Sequence, residues 1–251
     1  MCSLFHPRPA EPALTAEPIR TDFPAIDGAE MSAYFCGKRV AGDFYDAVRV
    51  SPQRILFGLL DVAGRREDNR GILTRAQNTL RTFGSELFAP PDINESEAMT
   101  ELCHALNRGI IEAAEGVRSC PAFIGCYHEE LGTLCYTNAG HTPGLLRDGT
   151  GILELASTGL PLGLFSHATT DAPTVGIPKD AILLLVSRGV VEAEAKIGNV
   201  EDLQFGLEQV KKRLEDAGSH DPREICVAIA DPVAEHLTHE DRTAFVLVRQ
   251  A

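Results

Sequence analysis

Strand-like and helix-like stretches of this chain do not alternate one for one, and that ordering constrains its fold more than any single residue does. Residues 31–40, 44–50 and 55–62 carry the alternating or continuous apolar patterns of β-strands. Two helical stretches then follow back to back. From about 69 to 87 the apolar residues Ile72, Leu73, Ala76, Leu80, Phe83 and Leu87 recur at helical spacing. From 96 to about 115, Met99, Leu102, Cys103, Leu106, Ile110 and Ile111 form one face. Strand patterns return at 122–127, 134–138, 144–146 and 181–186, and helices at about 201–217 and 222–234 precede a last strand at 243–249. A doubly wound parallel sheet needs a helix after each strand. Strand blocks separated by helix pairs instead predict an α+β fold of antiparallel sheets covered by helices.

The first two dozen residues, with Pro7, Pro9, Pro12, Pro18 and Pro24, read as an extended lead-in, so the folded domain is expected over 25–251. With 251 residues, 44% of them apolar, one domain can bury a sizeable core. A net charge of −13 argues against a surface for nucleic acid or anionic lipid, both of which need clustered Lys and Arg. The seven cysteines are an odd number without a CxxC pair and mostly lie in apolar runs, which reads as buried, reduced thiols. No run approaches the ~20 apolar residues of a membrane span, and no signal pattern opens the chain, so a cytoplasmic location is expected.

Two aspartates on the first strands are the chemical candidates. Residues 51–54, Ser-Pro-Gln-Arg, read as a turn joining 44–50 to 55–62 in a hairpin. If Val50 faces Ile55, facing positions sum to 105. Asp43 then lies opposite Val62 and Asp61 opposite Phe44, with the carboxylates one residue out of register and within roughly 5–8 Å. Asp46, three residues beyond Asp43, points to the opposite side and reads as structural. An aspartate at a strand end often serves a turn or cap, so the spacing alone leaves a cation site and a structural role both open.

Six short blocks in order carry a resemblance. They are Val40-Ala-Gly-Asp-Phe-Tyr-Asp46, Asp61-Val-Ala-Gly64, Tyr136-Thr-Asn-Ala-Gly-His-Thr-Pro143, Gly159-Leu-Pro-Leu-Gly163, Phe205-Gly206 and Glu240-Asp-Arg-Thr243. In this order and spacing the chain resembles the SpoIIE-type branch of the PPM (phosphatase 2C-like) metal-dependent serine/threonine phosphatases. The resemblance implies a PPM-type β-sandwich of two antiparallel sheets flanked by helices (αββα), with Mn²⁺ or Mg²⁺ at one edge. There a metal-bound water would attack the phosphorus of a phosphoserine or phosphothreonine. Aspartates at strand ends suit that task, because hard dications take oxygen ligands and acidify bound water. By resemblance, Asp61 would bridge the ions, the Val62 carbonyl would ligate beside it, Asp43 would touch the site directly or through water, and Glu240 and Asp241 would supply the last block. The usual substrates of such enzymes are phosphoserines on small anti-anti-sigma (STAS-domain) regulators.

The chain departs from this pattern at Arg188. The family's third block ends a strand with Thr-Asp-Gly, whereas this chain reads Ser187-Arg188-Gly189, so a ligand to the second ion is missing. A guanidinium ~4 Å from a dication would be repelled by roughly 8 kcal/mol before screening at an effective dielectric near 20. Three readings of Arg188 follow: a built-in cation paired with Asp61 or Glu240, a bidentate fork for the substrate phosphate, or a solvated arginine. In the fourth block the usual Asp-Asp pair is Glu240-Asp241. After Gly64 the family's small apolar helix start is replaced by the charged run Arg65-Arg-Glu-Asp-Asn-Arg70, either a changed regulatory contact or a solvated helix start whose Glu67 and Asp68 favour the dipole. His141 is expected to bond backbone in its turn rather than act as a general acid. Residues 159–163 lack P-loop residues and read as a tight turn. The sequence thus predicts a metal-dependent serine/threonine protein phosphatase with a degenerate second metal site, in which Asp43, Asp61 and Arg188 are the catalytic candidates. The rival is a pseudophosphatase that binds its partner without turnover.

Overall fold

In the computed structural model, the described residues are 21–36, 42–65, 68–114, 116, 118–167, 169–198, 202–231 and 241–250. Strands β1 (Ala29–Cys36), β2 (Gly42–Arg49) and β3 (Arg54–Val62) precede helices α1 (Arg70–Phe88) and α2 (Glu95–Ala113). Then come β4 (Ala122–His128), β5 (Thr133–Ala139), β6 (Gly144–Asp148), β7 (Gly151–Leu155), β8 (Thr174–Gly176) and β9 (Ile182–Val186). Helices α3 (Arg188–Ile197), α4 (Leu203–Asp216) and α5 (Pro222–Ala230) lead to β10 (Arg242–Arg249). One sheet has the order β2-β3-β4-β5-β8 and the other β1-β10-β9-β6-β7, with antiparallel pairing throughout.

Strand parity sorts the core into three layers. From β3, Ile55, Phe57 and Leu59 meet Leu183, Leu185, Phe245 and Leu247 of the other sheet, while Leu56, Leu60 and Val62 face α1 and α2. Being covered on both sides is why β3 reads as an unbroken apolar run. The outer face of the second sheet, with Leu184, Val186, Ala244 and Val246, packs under α3 to α5 through Val190, Val210, Leu214 and Ile229. The expected α+β sandwich of two antiparallel sheets between helices is therefore the fold observed.

The hairpin register differs from the expected one. Val50 N and Ser51 N both donate to the Arg54 carbonyl, at 3.0 and 3.4 Å, so the loop is Ser51-Pro52-Gln53 and Val50 faces Arg54. Facing positions sum to 104, which sets Asp43 directly opposite Asp61. The correction matters because facing residues of a ladder share a sheet face, and a one-residue slip moves one strand's side chains to the other face. The observed register places both carboxylates between the two sheets.

Other differences lie in short elements. Helix α3 carries no clear signal in the sequence, since its second to fourth residues, Gly189, Val190 and Val191, are poor helix formers. The helix is held by tertiary packing of Val190 and Val191. Strands β7 and β8 are short and largely exposed edges with weak patterning. Of the expected lead-in, residues 1–20 lie outside the described residues. Thr21 donates to Asp46 Oδ1 at 2.7 Å, and the Phe23 ring lies on Tyr45 and Phe245, with centroids 6.1 and 5.7 Å away. No helix among the described residues is long and apolar enough to cross a membrane.

Candidate active site

At one end of the sandwich β2, β3 and β10 bring their aspartates together. Asp43 is 6% exposed, and its Oδ2 accepts a hydrogen bond from Thr243 Oγ1 at 2.7 Å. The Ser187 hydroxyl, at the end of β9, also bonds this carboxylate and accepts from Thr243 N at 3.0 Å. Burial, then the charge of Asp61, push the Asp43 carboxyl up to about 7, with Asp241 adding to the effect and the two hydroxyls opposing it. The carboxyl of half-buried Asp61 is also raised, first by burial, and is held down by the backbone N–H and then the charge of Arg188. Carboxylates sharing a dry site cannot all ionise comfortably, and a proton or a cation relieves them.

Two close approaches fix the edge. A Cβ on Gly42 would stand 2.3 Å from the Val62 carbonyl oxygen, and one on Gly189 would stand 2.1 Å from that of Asp241. Glycine therefore lets β2 lie against the end of β3, and lets α3 start directly on Asp241. The Val62 carbonyl accepts from Asn69 Nδ2 at 3.3 Å, and the same amide reaches the Ala63 carbonyl at 3.2 Å. Asn69 is fully buried and precedes α1, yet its side chain does not cap that helix. Asp68 is not in the first turn of α1, and Glu67 lies outside the described residues. Nothing in the sequence singles out Asn69, which sits within the charged run before α1.

Arg188 opens α3, and its guanidinium pairs with Glu192 while its charge still acts on Asp61. Nε bonds Glu192 Oε1 at 2.6 Å, one turn along the helix, and the side chain is 63% exposed. What Arg188 gives Asp61 at close range is its backbone N–H. Glu240 lies outside the described residues. Asp46 points to the other face of β2 as expected, where Arg81 of α1 clamps it through Nε at 2.6 Å and Nη2 at 2.7 Å.

Beside Asp61 opens a cleft of about 350 Å³, with His141, Arg188, Val191, Leu203 and Leu207 in its walls. His141 bonds backbone, as the sequence suggested: Nδ1 lies 3.1 Å from the Thr142 carbonyl oxygen. The Thr142 hydroxyl donates to the Val186 carbonyl, so it too meets Nδ1 as an acceptor. The proton therefore sits on Nδ1, and burial pushes the imidazole down to about 4. A neutral ring with a bare Nε2 lone pair has no proton to give a leaving group at neutral pH. Asn138 explains the rest of that motif: its Oδ1 accepts from His141 N at 2.8 Å, and its Nδ2 donates to the Thr142 and Leu155 carbonyls. In the 159–163 turn, Gly163 adopts φ +82 and its N–H donates to Asn107 Oδ1 at 2.7 Å.

The donor set suits a hard cation in part. Among the described residues no group of three His, Cys, Asp or Glu side chains is arranged to hold an ion by itself. The repulsion of Asp43 by Asp61 and Asp241 is nevertheless what a bound dication would neutralise. Mg²⁺ commonly binds through one or two carboxylates and keeps several waters.

This architecture has counterparts among solved structures. The PP2C phosphatase domain of SpoIIE from Bacillus subtilis superposes with a TM-score of 0.68 at 16% identity, over 88% of this chain and 63% of that one. RsbX in complex with magnesium gives 0.60 at 13% identity, over 91% of this chain and 99% of that one. The SpoIIE family, described as Stage II sporulation protein E, matches residues 51–250, and the chain belongs to that family. Phosphoserine phosphatase RsbP of Bacillus subtilis (strain 168) is 26% identical over 180 residues, which are 71% of this chain and 42% of RsbP. The chain thus spans less than half the length of that curated relative.

Proposed function

We propose that the chain is a metal-dependent protein phosphatase that hydrolyses phosphoserine or phosphothreonine on a regulatory partner, of STAS type by resemblance. The observation that carries this reading is the direct pairing of Asp43 with Asp61 on the inter-sheet face, next to Asp241. Asp43, Asp61, the Val62 carbonyl, Asp241 and Glu240 would hold Mn²⁺ or Mg²⁺. When bound, the ion supplies an acidified water and offsets charge on the phosphoryl group. Thr243 and Ser187 orient Asp43 through their hydroxyls, and the Arg188 N–H orients Asp61. The name of the relative RsbP, a phosphoserine phosphatase, supports the substrate class.

The second metal position is degenerate in this reading. Arg188 takes the place of its ligand and, bound to Glu192 at the cleft mouth, stands where an incoming phosphate would meet its fork. The experiment is Mn²⁺-dependent hydrolysis of an aryl phosphate by the purified protein, with Asp61→Asn as control. Turnover should fall about a hundredfold or more in the variant, the scale on which loss of one electrostatic stabiliser registers. Absence of turnover in both proteins, with Mn²⁺ bound to neither, would overturn the reading in favour of a non-catalytic binding protein.

A further inference from the structure

Outside the catalytic edge, the described cysteines divide sharply. Cys103, Cys120, Cys126, Cys135 and Cys226 are buried, while Cys36 is half-buried. Burial pushes the thiols of Cys103 and Cys226 up to about 12, which makes them poor nucleophiles. Cys36 ends β1 directly opposite Arg242, the first residue of β10. Arg242 Nη2 donates to Cys36 Sγ at 3.2 Å, and the thiol in turn reaches Asp231 Oδ1 at 3.9 Å. Arg242 is 4% exposed, yet its Nε and Nη1 have no hydrogen-bond acceptor. A buried guanidinium with idle donors carries an uncompensated desolvation cost. The nearest place for a new acceptor is the sulfur that Arg242 already holds.

We propose that Cys36 is a site of oxidative modification, at which a peroxide converts the thiol to a sulfenic acid whose oxygen is received by Arg242. The sulfur attacks one peroxide oxygen, so that an S–O bond forms and the O–O bond breaks. Sulfur loses two electrons, which leave with the departing hydroxide, and the hydroxide takes up the thiol proton. Thiol and hydrogen peroxide thus give sulfenic acid and water. The guanidinium favours an anionic oxygen on the product, and the half-exposed sulfur admits the small oxidant. The site would also touch the chemistry of this chain, because Arg242 lies between Asp241 and Thr243, whose hydroxyl holds Asp43. That coupling rests on the function proposed above; the modification itself does not.

The test treats the full-length protein, carrying Cys2→Ser, with hydrogen peroxide, traps sulfenic acid with a dimedone probe and maps the label by peptide mass spectrometry. Cys36 should label roughly tenfold above each buried cysteine, and Cys36→Ser should remove that label. Arg242→Lys keeps the charge but loses the fork, and should reduce labelling severalfold. Equal labelling of all cysteines in the folded protein, or undiminished labelling in a folded Arg242→Lys, would overturn the proposal. If Arg242→Lys does not fold, Asp231→Asn decides: removing the carboxylate that holds the thiol proton should raise labelling, and unchanged or lower labelling overturns it. None of these readouts needs phosphatase activity, so failure here is distinct from failure of the functional reading.

Discussion

Asp43 shows how one residue concentrates the electrostatics of the acidic edge: it is buried, faces Asp61 across the ladder, and is bonded by the Ser187 and Thr243 hydroxyls. Arg188 is the counterweight. Arg188→Asp exchanges an exposed pair with Glu192 for a carboxylate at the start of α3, where the helix dipole favours it. We expect folding to be preserved and Mn²⁺ affinity, read by isothermal titration, to rise roughly tenfold, or about 1.4 kcal/mol. An unchanged titration would show that Arg188 does not limit Mn²⁺ binding. His141 makes a separate prediction. Its folded-state value near 4 lies below the ordinary 6.5, so the folded protein keeps the ring neutral while the unfolded chain takes up a proton. The stability it contributes is complete above 6.5 and is lost as pH falls toward 4, by up to about 3 kcal/mol. Urea midpoints measured between pH 6.5 and 4.5 should therefore fall less steeply in His141→Asn than in the parent.

At the scale of elements, the edge is held by contacts between neighbouring pieces. Arg81 of α1 clamps Asp46 of β2, whose side chain is fully buried. Removing one partner of such a pair leaves a stranded charge, and we expect Arg81→Ala to cost about 3–5 kcal/mol in chemical denaturation. Helix α3 is seated by Gly189 on the Asp241 carbonyl. Gly189→Ala would drive the helix start off that carbonyl, and overpacking of this kind costs about 1–3 kcal/mol. Because the same displacement moves the Arg188 N–H away from Asp61, Mn²⁺ affinity should fall together with stability. A variant that loses stability but binds Mn²⁺ normally would show that α3 does not position the carboxylates.

For the whole molecule, the sandwich supplies one dry end where strands far apart in sequence deliver carboxylates to the same place. A dication that binds only the folded state should stabilise it by about 2.7 kcal/mol at a concentration a hundredfold above its dissociation constant. Thermal unfolding with and without Mn²⁺ should show that gain in the parent and not in Asp61→Asn. Much of this architecture is legible in the chain. Ile55, Phe57 and Leu59 against Leu56 and Leu60 mark a strand buried on both faces, and the helical periodicity of Ile72, Leu73, Ala76 and Leu80 marks α1. Asp46 is legible as structural from its parity alone. The register of the hairpin was not, since a turn of three residues and one of four fit the same Ser-Pro-Gln-Arg stretch, and only the hydrogen bonds to the Arg54 carbonyl choose between them. Nor were the inward turn of Asn69, the pairing of Arg188 with Glu192 or that of Cys36 with Arg242, which join residues as many as 206 positions apart. The layers can be read off the chain, because burial on one face or two writes a local period into it. Which polar groups meet is set by packing between elements rather than by order along the chain, because hydrogen bonds and charge pairs act over only a few ångströms.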